Sequence, residues 1–165
     1  MNQRRLFRAL VCTLVFAGFG WSTAAFAQVS QVLPKAQTLY LPIYSHMLYG
    51  NLGKRGAASY ILLSALVSIR NTDPHRPLRI LSAAYYDTHG KLLEERVAKP
   101  VQLPPLGTHE VFVELNDASG GSGANFIVKW EADQPINPPL VEAIHANMDG
   151  GKAVIFKTQA LPIVD

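Results

Sequence analysis

Side chains with hard oxygen atoms recur in the turn-like segments of this chain. Four of them are Asp87, Asn116, Asp117 and Asp149. Carboxylate and amide oxygens of this kind, together with backbone carbonyls of mobile loops, are the ligands that calcium takes. The same residue types also form ordinary turns by accepting hydrogen bonds from their own backbone. A metal site and a set of plain turns therefore both stay open, and the identity of any metal is unknown from the sequence.

A glycine-rich stretch, Gly120-Gly121-Ser122-Gly123-Ala124, comes close to the G-x-S-x-G elbow that presents a nucleophilic serine in hydrolases. Ala124 stands where that motif has its last glycine, and an alternating apolar pattern follows where it needs a helix. A flexible hairpin loop is the better interpretation. The dinucleotide-binding pattern G-x-G-x-x-G also fails, because Phe126 occupies its last position.

The five histidines have no spacing that favours a metal site. Zinc needs three or four converging nitrogen, sulfur or carboxylate ligands, and neither H-x-H nor H-x-x-x-H occurs in the chain. The sequence therefore predicts scattered surface histidines. They are His46, His75, His89, His109 and His145.

No acid, base and nucleophile can be seen to converge, so the sequence favours a non-catalytic protein without a cofactor and leaves catalysis open. If the protein binds a ligand, the polar side chains around the glycine-rich loop are the candidates. These candidates are Asp87, His89, Asn116, Asp117, Ser119, Ser122, Asn125 and Asp149.

Aromatic side chains offer a second possible binding surface, for stacking on a sugar or docking a protein. Exposed tyrosine is common at interfaces, which keeps a protein or glycan partner open. We nevertheless expect most of these rings in the core, with Trp130 buried. The set comprises Tyr40, Tyr44, Tyr49, Tyr60, Tyr85, Tyr86 and Trp130.

The N-terminal segment has the pattern of a secretory signal peptide. Three arginines precede an apolar run that ends in Ala25-Phe26-Ala27, which predicts cleavage before Gln28. An uncleaved membrane anchor is the alternative, since the run is roughly long enough to span a bilayer. The pattern predicts a periplasmic or secreted protein with a signal peptide at 1–27, a linker at 28–37 and a single domain at 38–165.

Removal of this segment changes the composition in two ways. The chain's one cysteine, Cys12, is lost, so the exported part can form no internal disulfide. The three arginines account for the whole charge excess, because the chain has 15 Lys and Arg against 12 Asp and Glu. We therefore expect no nucleic-acid partner, and no membrane partner once the segment is cleaved.

Alternating apolar residues, separated by turns rich in glycine, proline and asparagine, predict strands and no substantial helix. The pattern favours an all-β, antiparallel two-sheet sandwich with an immunoglobulin- or fibronectin-like architecture, and an up-and-down barrel is the competing closure. The antibody cysteine pair is absent, so the likeness is one of architecture only. The main predicted strands are 38–46, 57–70, 78–86, 91–98, 109–115, 126–130, 140–148 and 153–158.

If each predicted strand crosses the domain and the next returns, successive loops fall at opposite ends. We call the first set the glycine end, because it holds every glycine after the signal except Gly107. It consists of 47–56, 87–90, 116–123 and 149–151. The second set, the proline end, consists of 71–77, 99–107 and 133–139.

Five segments, taken in order and with their spacing, resemble the bacterial "domain of unknown function 3124" family across nearly the whole exported part. They are Tyr40-Leu-Pro-Ile-Tyr-Ser-His46, Ser68-Ile-Arg-Asn-Thr-Asp73, Tyr85-Tyr-Asp-Thr-His-Gly-Lys-Leu92, Gly120-Gly-Ser-Gly-Ala-Asn-Phe-Ile-Val-Lys-Trp130 and Pro139-Leu-Val-Glu-Ala143. The resemblance implies a secreted or envelope β-domain with no established activity and no catalytic residues to carry over.

Together these observations lead us to expect an exported binding or structural module of the cell envelope. Two alternatives stay open. One is a calcium- or metal-dependent binding domain that uses the glycine end, and the other is a hydrolase whose site is too scattered to identify from one sequence.

Overall fold

The computed structural model describes residues 32–148, 151 and 153–164. The predicted signal peptide and Asp149 lie outside the described residues. The described part belongs to one compact unit, Val32–Asp165. It consists of strands and loops without a helix, and accordingly it holds no helix long and apolar enough to cross a membrane.

Twelve strands occur in the described residues. They are β1 (Ala36–Ile43), β2 (His46–Tyr49), β3 (Ser59–Leu62), β4 (Ser64–Arg70), β5 (Leu78–Tyr86), β6 (Leu92–Glu95), β7 (Val101–Leu103), β8 (Thr108–Val113), β9 (Ala124–Glu131), β10 (Leu140–Asn147), β11 (Val154–Gln159) and β12 (Leu161–Pro162).

The strands form three antiparallel sheets, none of which closes on itself. The larger sheet has the order β12-β1-β9-β5-β6, with β7 also beside β5, and the second has the order β11-β10-β4-β8. The third sheet is the hairpin β2–β3. The all-β, antiparallel prediction is confirmed, and the barrel alternative is wrong because every sheet is open. The immunoglobulin-like assignment stays a prediction.

Side chains from both large sheets meet in one hydrophobic core. In β9, Phe126, Val128 and Trp130 are buried as the alternation predicts. Val67 of β4 and Val111 of β8 contribute from the second sheet. This packing of two sheets on one core is sandwich-like. The core cluster is drawn from Leu39 to Ala143. A chain that starts at Gln28 therefore carries all the core side chains found among the described residues, and we expect it to fold by itself.

Two predicted strands are each divided in two. The predicted strand 57–70 becomes β3 and β4, with Leu63 between them. The predicted strand 38–46 becomes β1 and the first residue of β2, with Tyr44 and Ser45 between them, and the rest of β2 lies in the predicted loop 47–56, so the loop prediction is wrong for residues 47–49. Alternation continues through both breaks, so the sequence pattern does not reveal them. The breaks arise because the chain leaves the first large sheet, forms the hairpin and returns into the second large sheet.

The expectation that most tyrosines lie in the core is wrong. Tyr85 is buried, and Trp130 is buried as predicted, but Tyr40, Tyr49 and Tyr60 are exposed. Tyr49 and Tyr60 belong to the β2–β3 hairpin, which pairs with neither large sheet. The alternating pattern around these tyrosines belongs to a two-stranded hairpin that packs on no further sheet strand, so it does not indicate burial.

Candidate functional site

The two glycine-end loops 87–90 and 116–123 are joined by Thr88. Both its backbone N–H and its hydroxyl donate to the carbonyl of Gly120, each at 2.9 Å. The hydroxyl in turn accepts from the N–H of Gly123 at 2.9 Å. For these two loops the predicted clustering at one end is confirmed.

The carboxylates of Asp87 and Asp117 form turns. Asp87 Oδ1 accepts from the N–H groups of His89 and Lys91 at 2.8 and 2.9 Å. The hydrogen bond from the Lys91 N–H is the main cause that lowers the pKa of Asp87 below its usual value. Asp117 Oδ1 accepts from the N–H of Ser119 at 3.1 Å and from the Ser119 hydroxyl. Both carboxylates therefore act as turn-forming groups.

The other candidate side chains are spread over three elements. Asn116, Ser119 and Ser122 lie in the loop before β9, His89 lies at the tip of the β5–β6 hairpin, and Asn125 is in β9 itself. Because β9 begins at Ala124, Ser122 precedes a strand and lacks the turn into a helix that a nucleophile elbow requires. Within the described ranges, no three His, Cys, Asp or Glu side chains converge well enough to hold a metal ion.

The sequence missed a buried polar network beneath the glycine-rich loop. Ser45 Oγ and the Tyr85 hydroxyl are 2.9 Å apart, and both residues are buried. The Ser45 N–H donates to Gly121 O, and the Leu63 N–H donates to Ser45 O, each at 2.9 Å. Burial is the main cause that raises the pKa of Tyr85. We call Ser45, Tyr85, Leu63 and the 120–121 backbone the base network.

Close approach makes glycine necessary at position 120. A Cβ there would stand 2.0 Å from the Tyr85 hydroxyl and 2.8 Å from Ser45 Oγ. The glycine-rich composition of this loop thus has a structural cause, since the backbone must lie directly against the base network. No local sequence signal points to Ser45 or Tyr85, because their pairing joins residues far apart in the chain.

The β2–β3 hairpin leaves the domain at the base network. Beyond it, every residue from Leu48 to Ala57 is exposed. Leu48 opposes Tyr60 across the hairpin, and these side chains are 57% and 62% exposed. Tyr49 and Leu52 are exposed by 54% and 71%. The hairpin therefore presents large apolar side chains on both of its faces.

The tip of the hairpin is held by its own backbone. The Gly53 N–H donates to Ala57 O at 2.8 Å, and the Gly56 N–H donates to Gly53 O at 2.9 Å. Gly56 has φ +74°, which a residue with a side chain adopts at a cost. Between these glycines, Lys54 and Arg55 are exposed to solvent.

An apolar groove lies beside the root of the hairpin, with a volume of about 420 Å³. Its lining consists of Tyr44, Met47, Phe156, Lys157 and Thr158. Met47 belongs to β2, so the groove is continuous with one face of the hairpin.

His145 corrects the expectation that the histidines are all on the surface. Its ring is fully buried, stacks on Phe156 at 4.7 Å, and accepts the Tyr44 N–H at Nε2 over 3.1 Å. Burial lowers its pKa to about 4. Since Nε2 accepts, the neutral ring carries its proton on Nδ1. The residue therefore acts as a packed, neutral core group that ties β10 to the root of the hairpin.

The opposite end of the domain is held together by Asn71 and Asp73, both buried. The Asn71 side-chain amide donates to the carbonyls of Arg76 and Pro104 at 2.8 and 2.9 Å, and its Oδ1 accepts the Asp73 N–H at 3.0 Å. Asp73 Oδ1 accepts the N–H groups of His75 and Arg76 at 2.9 and 3.0 Å. The predicted proline-end loops 71–77 and 99–107 therefore meet.

The third proline-end loop joins through Asp73 as well. Its Oδ2 accepts the Asn137 N–H at 3.4 Å, and Thr72 Oγ1 donates to Pro138 O at 2.8 Å. The His75 N–H is the main cause that lowers the pKa of Asp73. The predicted clustering of all three proline-end loops is thus confirmed.

Comparison with known proteins yields one structural likeness. The chain is similar to the crystal structure of Thermotoga maritima 1070, with 10% sequence identity and a TM-score of 0.44, over 78% of this chain and 96% of that chain. No curated protein matches the sequence.

A family profile described as "Protein of unknown function (DUF3124)" matches residues 36–163. This range includes every strand of the described domain and all five segments that carry the resemblance. The chain belongs to the DUF3124 family.

Proposed function

We propose that the protein is a non-catalytic binding module of the cell envelope, and that the β2–β3 hairpin is the element that contacts its partner. The observation that carries the proposal is the exposure of Leu48, Tyr49, Leu52 and Tyr60 together on one projecting element. Exposed apolar surface gathered in one region marks interaction sites in soluble domains.

The base network supports this assignment because it gives the hairpin a fixed origin. Ser45 and Leu63, the residues at which the hairpin begins and ends, are fully buried and hydrogen-bonded to each other. A contact element on a buried, hydrogen-bonded base loses less conformational freedom on binding than a free loop does.

The chemistry of the glycine end favours binding over catalysis. Asp87 and Asp117 hold turns by accepting backbone N–H groups. Asp117 Oδ2 also lies 3.8 Å from the Arg96 guanidinium. Carboxylates that accept backbone N–H groups fit structural turns better than a cation site. Our proposal therefore does not include metal-dependent binding.

Export is part of the proposal and rests on the N-terminal pattern. The test is the mass of the protein isolated from its host after expression of the full chain. Cleavage before Gln28 predicts a product that begins at that residue, whereas retention of 1–27 would mean a membrane-anchored module.

The contact element can be tested by photo-crosslinking in the exported protein. A benzophenone amino acid would replace Tyr49 or Tyr60 in the hairpin, and Phe112 on β8 as a control. Phe112 is aromatic and 55% exposed, which matches Tyr49 closely. We expect adducts from the two hairpin positions and not from the control. Equal yields at all three positions, or no adduct at the hairpin, would rule the hairpin out as the contact element.

A further inference from the structure

The apolar side chains of the hairpin are of two kinds, and they are arranged along its length. Leu48 and Leu52 are aliphatic, and Leu52 lies in the connection beyond the end of β2. Tyr49 and Tyr60 lie in the strands, between that tip and the base network, and Leu48 lies opposite Tyr60 at the same level. An aliphatic tip followed by tyrosines is the order found across a membrane interface, where aromatic rings with a polar group sit at headgroup level.

The charges of the hairpin have one sign. Lys54 and Arg55 are exposed, and neither forms an ion pair with any residue in the described ranges. The first acidic residue of the whole chain is Asp73, so the hairpin and both of its flanking strands contain none. The carboxylates of the neighbouring loops, Asp87 and Asp117, are engaged in their own turns. The projecting surface is therefore complementary to a negatively charged partner.

The dimensions also fit a lipid surface. Each hairpin strand has 4 residues. At about 3.3 Å per residue, such a strand spans roughly 13 Å. The headgroup region of one leaflet is roughly 5–8 Å thick, as the difference between total and hydrocarbon thickness shows. The hairpin can therefore place Leu52 at the edge of the hydrocarbon while the core of the domain stays in water.

We infer that the partner of the hairpin is an anionic lipid surface. Leu52 inserts into it, Leu48 and the two tyrosines lie at headgroup level, and Lys54 and Arg55 pair with lipid phosphates. This inference rests on the proposed function, since it names the partner of the same element. Exposed leucines distinguish it from a glycan site, where aromatic rings stack on sugars without an aliphatic tip. It also replaces the expectation of no membrane partner, which followed only from loss of the N-terminal apolar segment.

The test is co-sedimentation of the chain from Gln28 with vesicles. One set contains phosphatidylcholine with about one third phosphatidylglycerol, and the other contains phosphatidylcholine alone. We expect binding to the anionic set at about 0.1 M salt and strong weakening at about 1 M, where the screening length falls from about 10 Å to about 3 Å. Absence of binding to the anionic set, or equal binding to both sets, would overturn the inference.

Paired variants separate the two contributions. Substitution K54Q together with R55Q should lower partition about fivefold for each cation removed. Substitution L48S together with L52S should lower it about tenfold or more. The controls, K99Q with K129Q and F112S with I155S, alter exposed charges and exposed apolar groups elsewhere and should leave partition unchanged. An equal loss in the controls would mean general rather than hairpin-specific adsorption, against the inference.

The folded state of each variant can be monitored through Trp130, the single tryptophan after Gln28, whose burial makes its emission a reporter of unfolding. The crosslinking result distinguishes the claim that the hairpin contacts a partner from the claim that this partner is a lipid surface. Hairpin adducts with a protein or glycan, combined with no vesicle binding, would reject the lipid partner and keep the hairpin as contact element. Failure of both experiments would reject both.

Discussion

The two ends of the domain use buried polar groups for opposite purposes. At the proline end, Asn71 and Asp73 satisfy the backbone of three loops and draw them together over the core. At the glycine end, Ser45 and Tyr85 form the base from which a hairpin extends away from the core. Hydrogen bonding is comparably complete in both, so its presence does not distinguish a closed end from a presenting one.

The two ends differ in the chain segment that follows the buried polar residues. Beyond Asn71 and Asp73 the chain turns back into a strand of the first large sheet. Beyond Ser45 the chain continues into exposed leucines and tyrosines that no other described strand covers. A binding surface is therefore expected on the exposed segment that a buried polar network supports, and not among the buried polar residues themselves.

The largest effect should follow from Asn71→Ala at the proline end. This change leaves the carbonyls of Arg76 and Pro104 and the N–H of Asp73 without a buried partner. The two part-buried bonds to Arg76 O and Pro104 O are worth about 1 kcal/mol each, and the buried Asp73 N–H costs about 1–3 kcal/mol when it is left unsatisfied. We therefore expect a loss of about 4 kcal/mol in the free energy of unfolding. Urea denaturation followed by Trp130 emission measures it.

The matched control is Thr72→Ala, which removes an exposed hydrogen bond to Pro138 O. We expect it to cost no more than about 1 kcal/mol. Similar losses from the two variants would contradict the assignment of Asn71 as the group that holds the proline end together.

At the glycine end, Gly120→Ala should cost about 3 kcal/mol, because the new Cβ overlaps the Tyr85 hydroxyl and strains the base network. Gly53→Ala in the hairpin is the control, since the nearest atom to its Cβ would be Ala57 O at 3.4 Å. Thermal unfolding of both variants gives the comparison. A stable Gly120→Ala protein would show that the loop does not lie against Tyr85.

The buried histidine predicts a pH dependence that belongs to the glycine end alone. The folded-state pKa of His145 is about 4, below its ordinary 6.5. Between these values the unfolded chain binds a proton that the folded chain does not. The stabilisation is therefore complete above pH 6.5 and is lost as the pH falls to about 4, with a slope of up to about 1.4 kcal/mol per pH unit.

Unfolding free energies at a series of pH values would measure this slope. His145→Gln keeps an acceptor for the Tyr44 N–H and should flatten the curve across that window, whereas His89→Gln, at an exposed turn, should not. The lowered pKa values of Asp73 and Asp87 act in a more acidic range, because their ordinary value is 3.8. An unchanged slope in His145→Gln would assign the pH dependence to other groups.

The smallest effect on stability should come from the hairpin itself. Leu48 and Leu52 are exposed and pack in neither large sheet, so replacing both by serine should change the free energy of unfolding by no more than about 0.5 kcal/mol per site. Thermal unfolding of the double variant measures this. A loss comparable to that of Asn71→Ala would mean that the hairpin is part of the core, which would erase the contrast between the two ends.

Much of the fold was predictable because alternation reports burial. Phe126, Val128 and Trp130 behave as their spacing indicates. The loops 87–90 and 116–123 meet as predicted, and so do the three proline-end loops. Alternation does not report what lies behind a strand. The pattern therefore predicts β3 as part of a longer strand and the hairpin tyrosines as core residues, and it predicts residues 47–49 of β2 as a loop. The sequence does not predict the buried contacts of Ser45 and His145, because each contact joins residues that are distant in sequence. Ser45 contacts Tyr85 at 2.9 Å, and His145 accepts the Tyr44 N–H at 3.1 Å.

The sequence also did not identify the candidate contact residues. The oxygen atoms of Asp87 and Asp117 suit a cation, yet they accept hydrogen bonds from nearby backbone N–H groups, as the turn interpretation predicts. The sequence does not identify Leu48 and Leu52 as candidate binding residues, since nothing in a single sequence marks a leucine as exposed.

The most direct test of the account combines binding and stability in one protein. The benzophenone amino acid is placed at Tyr60 of the exported protein, with Leu48 and Leu52 either retained or both changed to serine. We predict that the adduct disappears in the serine variant while the midpoint of thermal unfolding stays the same. An adduct that persists without the two leucines would contradict the claim that the hairpin's apolar surface makes the contact.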